Sequence, residues 1–270
     1  MYEVLEIDQQ RQQSPSMWDS MTELPRILLE ATSLAYSWPM LSTAPLGDGH
    51  PVMVIPGFTA GDESTLVMRR YLSRLDYQVS GWEQGRNTGS LELQERFEQH
   101  FGVLSGTLNG KITLIGQSLG GIYARALARS FPDHVRQVIT LGSPFSSQGP
   151  ETTNPLVARL FQYMSGMTTE EMREEMSASV EQPLAVPATA IYSKSDGVVH
   201  WSSCLGQPGA ETENIEILGS HSGMAHNPVV FHVLADRLAQ PEDNWQPFRP
   251  SGCLALFFPK PHPPSDPCAS

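Results

Sequence analysis

The 270-residue sequence is poor in cysteine, in basic side chains and in long apolar runs. Its three cysteines, Cys204, Cys253 and Cys268, are odd in number, widely spaced and form no C-x-x-C. That pattern is not a disulfide framework and predicts free thiols in a reducing, cytoplasmic setting, with a bridge between two of them the alternative for an exported protein. Lysine and arginine total 17 against 29 acidic residues, a formal charge of −12. A polyanionic surface repels phosphate backbones and anionic lipid, so no nucleic-acid partner is expected. No apolar run approaches the ~18 residues of a membrane span. The first residues, "MYEVLEIDQQRQQSPSMWDS", hold neither a basic nor an apolar block, so no signal peptide is expected. The histidines and carboxylates show no H-E-x-x-H spacing, and no phosphate-binding G-x-G-x-x-G or G-K-[ST] loop occurs, so neither metal nor cofactor is expected.

The remaining composition, 40% hydrophobic, suits one large mixed domain. Residues 1–20 are polar and read as a loose terminus. From Met21, apolar residues recur at helical spacing (Leu24, Ile27, Leu28, Ala31, Leu34, Ala35, Trp38) until Pro39. The body, 21–240, then alternates. Strands are expected at 51–56, 77–82, 111–116, 136–143, 187–193 and 213–219. Helices are expected at 64–76, 90–108, 119–131 and 228–239. Apolar strands between helices imply an α/β fold, a mostly parallel sheet covered on both faces. An insertion at about 148–186 carries short, methionine-rich helical patterns and reads as a small helical lid. Residues 241–270 hold eight prolines and read as an irregular strap, with the patch Leu254–Phe258 docking on the body.

The most informative stretch is "ITLIGQSLGGIYARALARS", from Ile112. An apolar strand enters a helix through Gly116-Gln117-Ser118-Leu119-Gly120, the G-x-S-x-G pattern of a nucleophile elbow. So tight a turn pushes Ser118 outward and leaves no room for side chains at Gly116 and Gly120. Small residues at Gly120, Ala124 and Ala128 let the helix lie close to the sheet. The motifs "VIPGF", "GQSLGG", "SDGVV" and "GSHSGMAHNP" follow in order from about Gly47 to Leu238. In these the chain resembles the α/β-hydrolase superfamily, and within it bacterial lipases and esterases of the triacylglycerol-lipase type.

That resemblance implies a Ser-acid-His order along the chain. Asp196 stands just past a late strand, whereas Asp236 sits inside the last helix and Asp133 at the wrong end of the sheet. Two histidines compete as base. His221 immediately follows the last strand and is favoured. His226, beside the cap residues Asn227 and Pro228, is expected to be structural or to line the site. His200 and His50 are expected to shape loops. The oxyanion donors would be the backbone N–H groups of Leu119 and Phe58, with Gly57 admitting close approach. Relatives often carry His-Gly where this chain has Pro56-Gly57, and the wider H-G-G-G loop is absent, which disfavours esters of tertiary alcohols. Ser118 stands where haloalkane and epoxide enzymes of this fold carry aspartate.

The reading is a serine hydrolase of carboxylic esters with apolar acyl chains, its substrate a small-molecule or lipid ester. Acyl transfer or thioester cleavage by the same residues is the alternative, and a non-catalytic binding protein a third. Leu156, Val157, Leu160, Phe161 and Met164 form an apolar stripe, followed by Met167, Met172 and Met176. Methionine adapts to varied apolar shapes, so Phe161 and Met164 are expected to bind substrate under the lid. The helix at 21–38 would cover the same pocket or make weak membrane-surface contact. Its lack of a Lys/Arg face favours packing on the body.

Overall fold

The computed structural model describes residues 14–145, 152–166, 183–250 and 252–259. Six strands form one sheet: β1 (Pro51–Ile55), β2 (Gln78–Ser80), β3 (Ile112–Gln117), β4 (Val135–Leu141), β5 (Ala188–Ser193) and β6 (Thr212–Ile217). Their order is β2-β1-β3-β4-β5-β6, and every neighbouring pair is parallel. Along β1 successive side chains point to opposite faces, and both faces are buried. Val52 and Val54 join one apolar cluster, Met53 and Ile55 the other.

Helices α2 (Leu66–Arg74) and α6 (Pro228–Leu238) cover the first face through Met68, Tyr71, Leu72, Phe231 and Leu234. Helices α3 (Leu91–Ser105) and α4 (Leu119–Ser130) cover the second through Phe97, Phe101, Tyr123 and Leu127. The chain leaves β1 toward the β2 edge and returns to β3 on the other side of β1. That reversal opens a crevice at the carboxyl ends of β1 and β3, where ligands of open α/β sheets bind.

The first helix, α1, runs Met17–Leu41, longer at both ends than its pattern implied. It continues through Pro39 because a ring at that position forfeits only one hydrogen bond, while the last turn is held from outside. Leu41 is buried, its carbonyl accepts from Tyr71 Oη, and the Ser42 amide closes on Trp38. The face of α1 also differs from expectation. Leu24 and Leu28 are exposed, and the helix turns Glu23, Leu34 and Leu41 inward. Loop backbone amides beneath it need acceptors, and carboxylates supply them where leucines could not.

From the insertion the structure describes α5 (Pro155–Ser165), capped by the Asn154 side chain on the Leu156 amide. Met167, Met172 and Met176 lie outside the described residues, as does the strap beyond Pro259. In the described part of the strap, Phe258 packs on the first core cluster and against Phe248, while Leu256 and Phe257 face outward. Cys204 is buried and free. The Cys253 side chain and Cys268 lie outside the described residues.

Candidate active site

Between β3 and α4 the backbone of Ser118 takes φ +52° and ψ −122°, a conformation rare for any residue with a side chain. The surrounding structure imposes it. The Ser118 amide is tied to Leu141 O of β4 at 2.8 Å. A Cβ at Gly116 would lie 2.3 Å from Gly120 O, and one at Gly120 would lie 2.4 Å from Ile55 O. Both glycines therefore answer to backbone, not to movable side chains. Ser118 precedes the first turn of α4, so the positive end of the helix dipole faces its side chain.

Two loops bring partners to it. His221 follows β6, and its Nε2 stands 3.0 Å from Ser118 Oγ. Its Nδ1 stands 2.7 Å from Asp196 Oδ2, past the end of β5. The other oxygen of Asp196 accepts from the Val198 and Val199 amides at 2.9 and 2.8 Å, so the carboxylate cannot turn away. Gln117 Nε2 donates to the His221 carbonyl at 3.2 Å and joins the elbow to the histidine loop. Burial disfavours the imidazolium of His221. The charge and hydrogen bond of Asp196, with the charge of Glu23, outweigh this and raise its pKa above the ordinary histidine value.

The loop after β1 lies against the elbow: a Cβ at Gly57 would meet Ser118 Cβ at 3.2 Å. Among the described residues, no acceptor takes the amide of Phe58 or of Leu119. The loop is held by Asn87, fully buried, which donates to Pro56 O and exchanges backbone bonds with Thr59 and Ala60. Gly142, at φ +54°, lies under the Asp196–His221 pair, where a Cβ would be 3.1 Å from the carboxylate. Neither Asn87 nor Gly142 carried a sequence signal, because each acts on residues distant in the chain.

A cleft of about 260 Å³ opens over Ser118, with walls that include Phe58, Val157, Leu160, Ala225 and His226. His226 lines this cleft, and its buried Nδ1 has no hydrogen-bond partner among the described residues. Burial lowers its pKa. The two residues expected to bind substrate from α5 are placed differently. Phe161 leans on the Phe58 ring, 5.1 Å between centroids, and Met164 is not among the described cleft residues. Met164 shares the helix face of Val157 and Leu160 but stands a turn beyond Leu160 along α5, and Val157 and Leu160 hold the part turned to Ser118. Nor does α1 line this cleft, so it does not cover it as one reading of residues 21–38 expected. The remaining candidates stay apart. Asp236 pairs with Arg237, Asp133 lies in the short helix before β4, His50 bonds Asp48 and Thr113, and His200 bonds Ser202. No group of three possible metal ligands occurs among the described residues.

A family model described as alpha/beta hydrolase fold matches residues 87–205. The chain has the α/β-hydrolase fold. Solved structures agree with this assignment at low identity. Lipase B of Aspergillus fumigatus matches with TM-score 0.57 and 19% identity, over 73% of this chain and 54% of that one. A monoacylglycerol lipase of Paleococcus ferrophilus matches with TM-score 0.53 and 12% identity, over 73% and 96%. A metagenome-derived lipolytic enzyme matches with TM-score 0.52 and 15% identity, over 72% and 93%. No curated protein sequence matches the chain. No helix among the described residues of this α/β-hydrolase fold is long and apolar enough to cross a membrane.

Proposed function

We propose that the protein is a serine hydrolase of carboxylic esters that works through an acyl-enzyme. The observation that carries the reading is the unbroken chain of contacts from Ser118 Oγ through His221 to Asp196, 3.0 and 2.7 Å, at a strained strand-to-helix turn. A serine hydroxyl needs a base, and a base needs an orienting acid. His221 Nε2 takes the Ser118 proton as Oγ attacks the ester carbonyl. The Phe58 and Leu119 amides receive the developing oxyanion. His221 then gives its proton to the departing alkoxide, and water enters by the same base to release the acid. The apolar walls at Phe58, Val157 and Leu160 fit the acyl chain, with α5 as part of a lid over it. Neighbours named lipases support the ester class as analogy of fold.

The test is hydrolysis of 4-nitrophenyl esters, from acetate to palmitate, by wild type and Ser118→Ala. A loss of about a thousandfold or more is expected for the variant, with an optimum above acetate. Equal rates for the two proteins would refute the reading. Acceptor alcohols added to the same assay distinguish hydrolysis from acyl transfer by their products.

A further inference from the structure

Between Ser20 and Glu30, helix α1 meets the loops that follow β5 and β6 through polar groups. Ser20, Glu23, Arg26 and Glu30 recur at spacings of three and four, on one side of the helix. Glu23 is almost fully buried. Its Oε1 accepts from the Gly197 amide at 2.9 Å and from the His221 amide at 3.0 Å. Its Oε2 lies 3.4 Å from the Ser222 amide. Gly197 is the residue after Asp196. One oxygen atom therefore joins the backbone beside the acid to the backbone of the base, in loops that follow different strands. Neighbouring contacts repeat the arrangement. Arg26 donates to Ser195 O at 2.6 Å, Ser20 to Gly197 O at 2.6 Å, and Glu30 accepts from the Ser220 amide at 2.6 Å.

We propose that Glu23 is a positioning residue for ester hydrolysis: its carboxylate ties the Asp196 loop to the His221 loop and sets the electrostatics of the base. The proposal rests on the hydrolase reading above. Without this acceptor the amides of Gly197 and His221 would be buried and unpaired, and each loop would shift to find another. The 2.7 Å contact between Asp196 and His221 depends on both loops holding their places.

The groups that face His221 are Asp196 at Nδ1, Ser118 at Nε2 and Gln117 at its carbonyl. From α1 come Glu23 with its ion-pair partner Arg26, at 3.1 Å, and Glu30 one loop residue away; His226 lines the same cleft. Removing the Glu23 charge leaves Arg26 uncompensated. The anion that favoured the imidazolium is gone while the Arg26 cation remains, so the His221 pKa falls.

The test titrates the His221 imidazole by NMR in wild type, Glu23→Gln and Glu23→Ala, beside kcat, KM and thermal melting with 4-nitrophenyl butyrate. Glutamine keeps an acceptor oxygen and loses the charge. Glu23→Gln is expected to retain KM and to move the His221 midpoint, with the acid limb of kcat/KM, to lower pH. Glu23→Ala is expected to lose about tenfold to a hundredfold in kcat with little change in KM, the cost of a misplaced base. An unmoved midpoint in Glu23→Gln overturns the proposal. So does a folded Glu23→Ala whose kcat stays within about twofold of wild type. If Glu23→Ala does not fold, the glutamine titration decides. If wild type and Ser118→Ala are equally inert toward esters, the hydrolase reading fails, while the His221 midpoint still tests the tie itself.

Discussion

At the scale of single residues, the site depends on atoms that are missing. Gly120 faces the backbone of Ile55 and Pro56, which cannot rotate away as a side chain could. Gly120→Ala is expected to cost ~3 kcal/mol or more, because the helix must lift from the sheet; denaturant unfolding measures it. The two elbow glycines were legible in the sequence because the turn constrains residues two positions either side of Ser118. Asp196 and His221 were legible by position after strands. Glu23, Asn87 and Gly142 were not. Their partners lie far along the chain, and an isolated Glu, Asn or Gly has many ordinary roles. The raised pKa of His221 has its own consequence. As the proposed general base His221 would work only when neutral, so kcat/KM is expected to fall as pH drops through a value above the usual ~6.5 of histidine. A pH–rate profile with its acid limb below that value would contradict the balance of charges at the site.

At the scale of elements, α5 and α1 mark where periodicity succeeds and where it misleads. The existence of both helices was readable from apolar recurrence. Which residues of each face the protein was not. In α5, Val157 and Leu160 face the cleft while Leu156 is exposed. Leu160→Trp is expected to fill the acyl space and lower kcat/KM for the longest esters about tenfold or more, sparing acetate. An unchanged chain-length profile would place the acyl chain elsewhere. In α1 the apolar pattern pointed one way and the buried polar face another. A helix normally buries its apolar stripe because burial of such surface drives folding. Here unpaired amides at the ends of β5 and β6 impose a stronger local demand, since each would cost about 1–3 kcal/mol if left without a partner.

At the scale of the whole molecule, the sheet is pinned at the end opposite the site. Asp48, before β1, accepts from Arg136 of β4 at 2.7 Å, and Arg136 also donates to Gln240 O beyond α6. Partial burial works against the Asp48 carboxylate, but hydrogen bonds from His50 and Arg136 outweigh it and lower its pKa. A group with a depressed folded pKa stabilises the protein above its unfolded pKa and loses that effect as pH falls. Asp48→Asn is therefore expected to be less stable than wild type at pH 7, by a margin that starts to shrink below about pH 4 and vanishes only as pH falls through the depressed folded value. Because Asp48 is half exposed, the difference should be about 1 kcal/mol at most. Equal melting temperatures for the two proteins at pH 7 would remove the pin.

The sequence by itself determined the α/β layering and the serine elbow, and, with the family resemblance, singled out Asp196 and His221 after it. These are local: each rests on strand and helix periods, on glycines within two residues of a turn, or on position after a strand. Tertiary structure alone decided which side of α1 and α5 meets the body, and that a carboxylate from the first helix reaches the loops of Asp196 and His221. Glu23 and His221 lie 198 residues apart. Only the packing of α1 against the carboxyl edge of the sheet brings them within a hydrogen bond. No pattern along the chain encodes a contact whose need arises from backbone amides exposed by the fold itself.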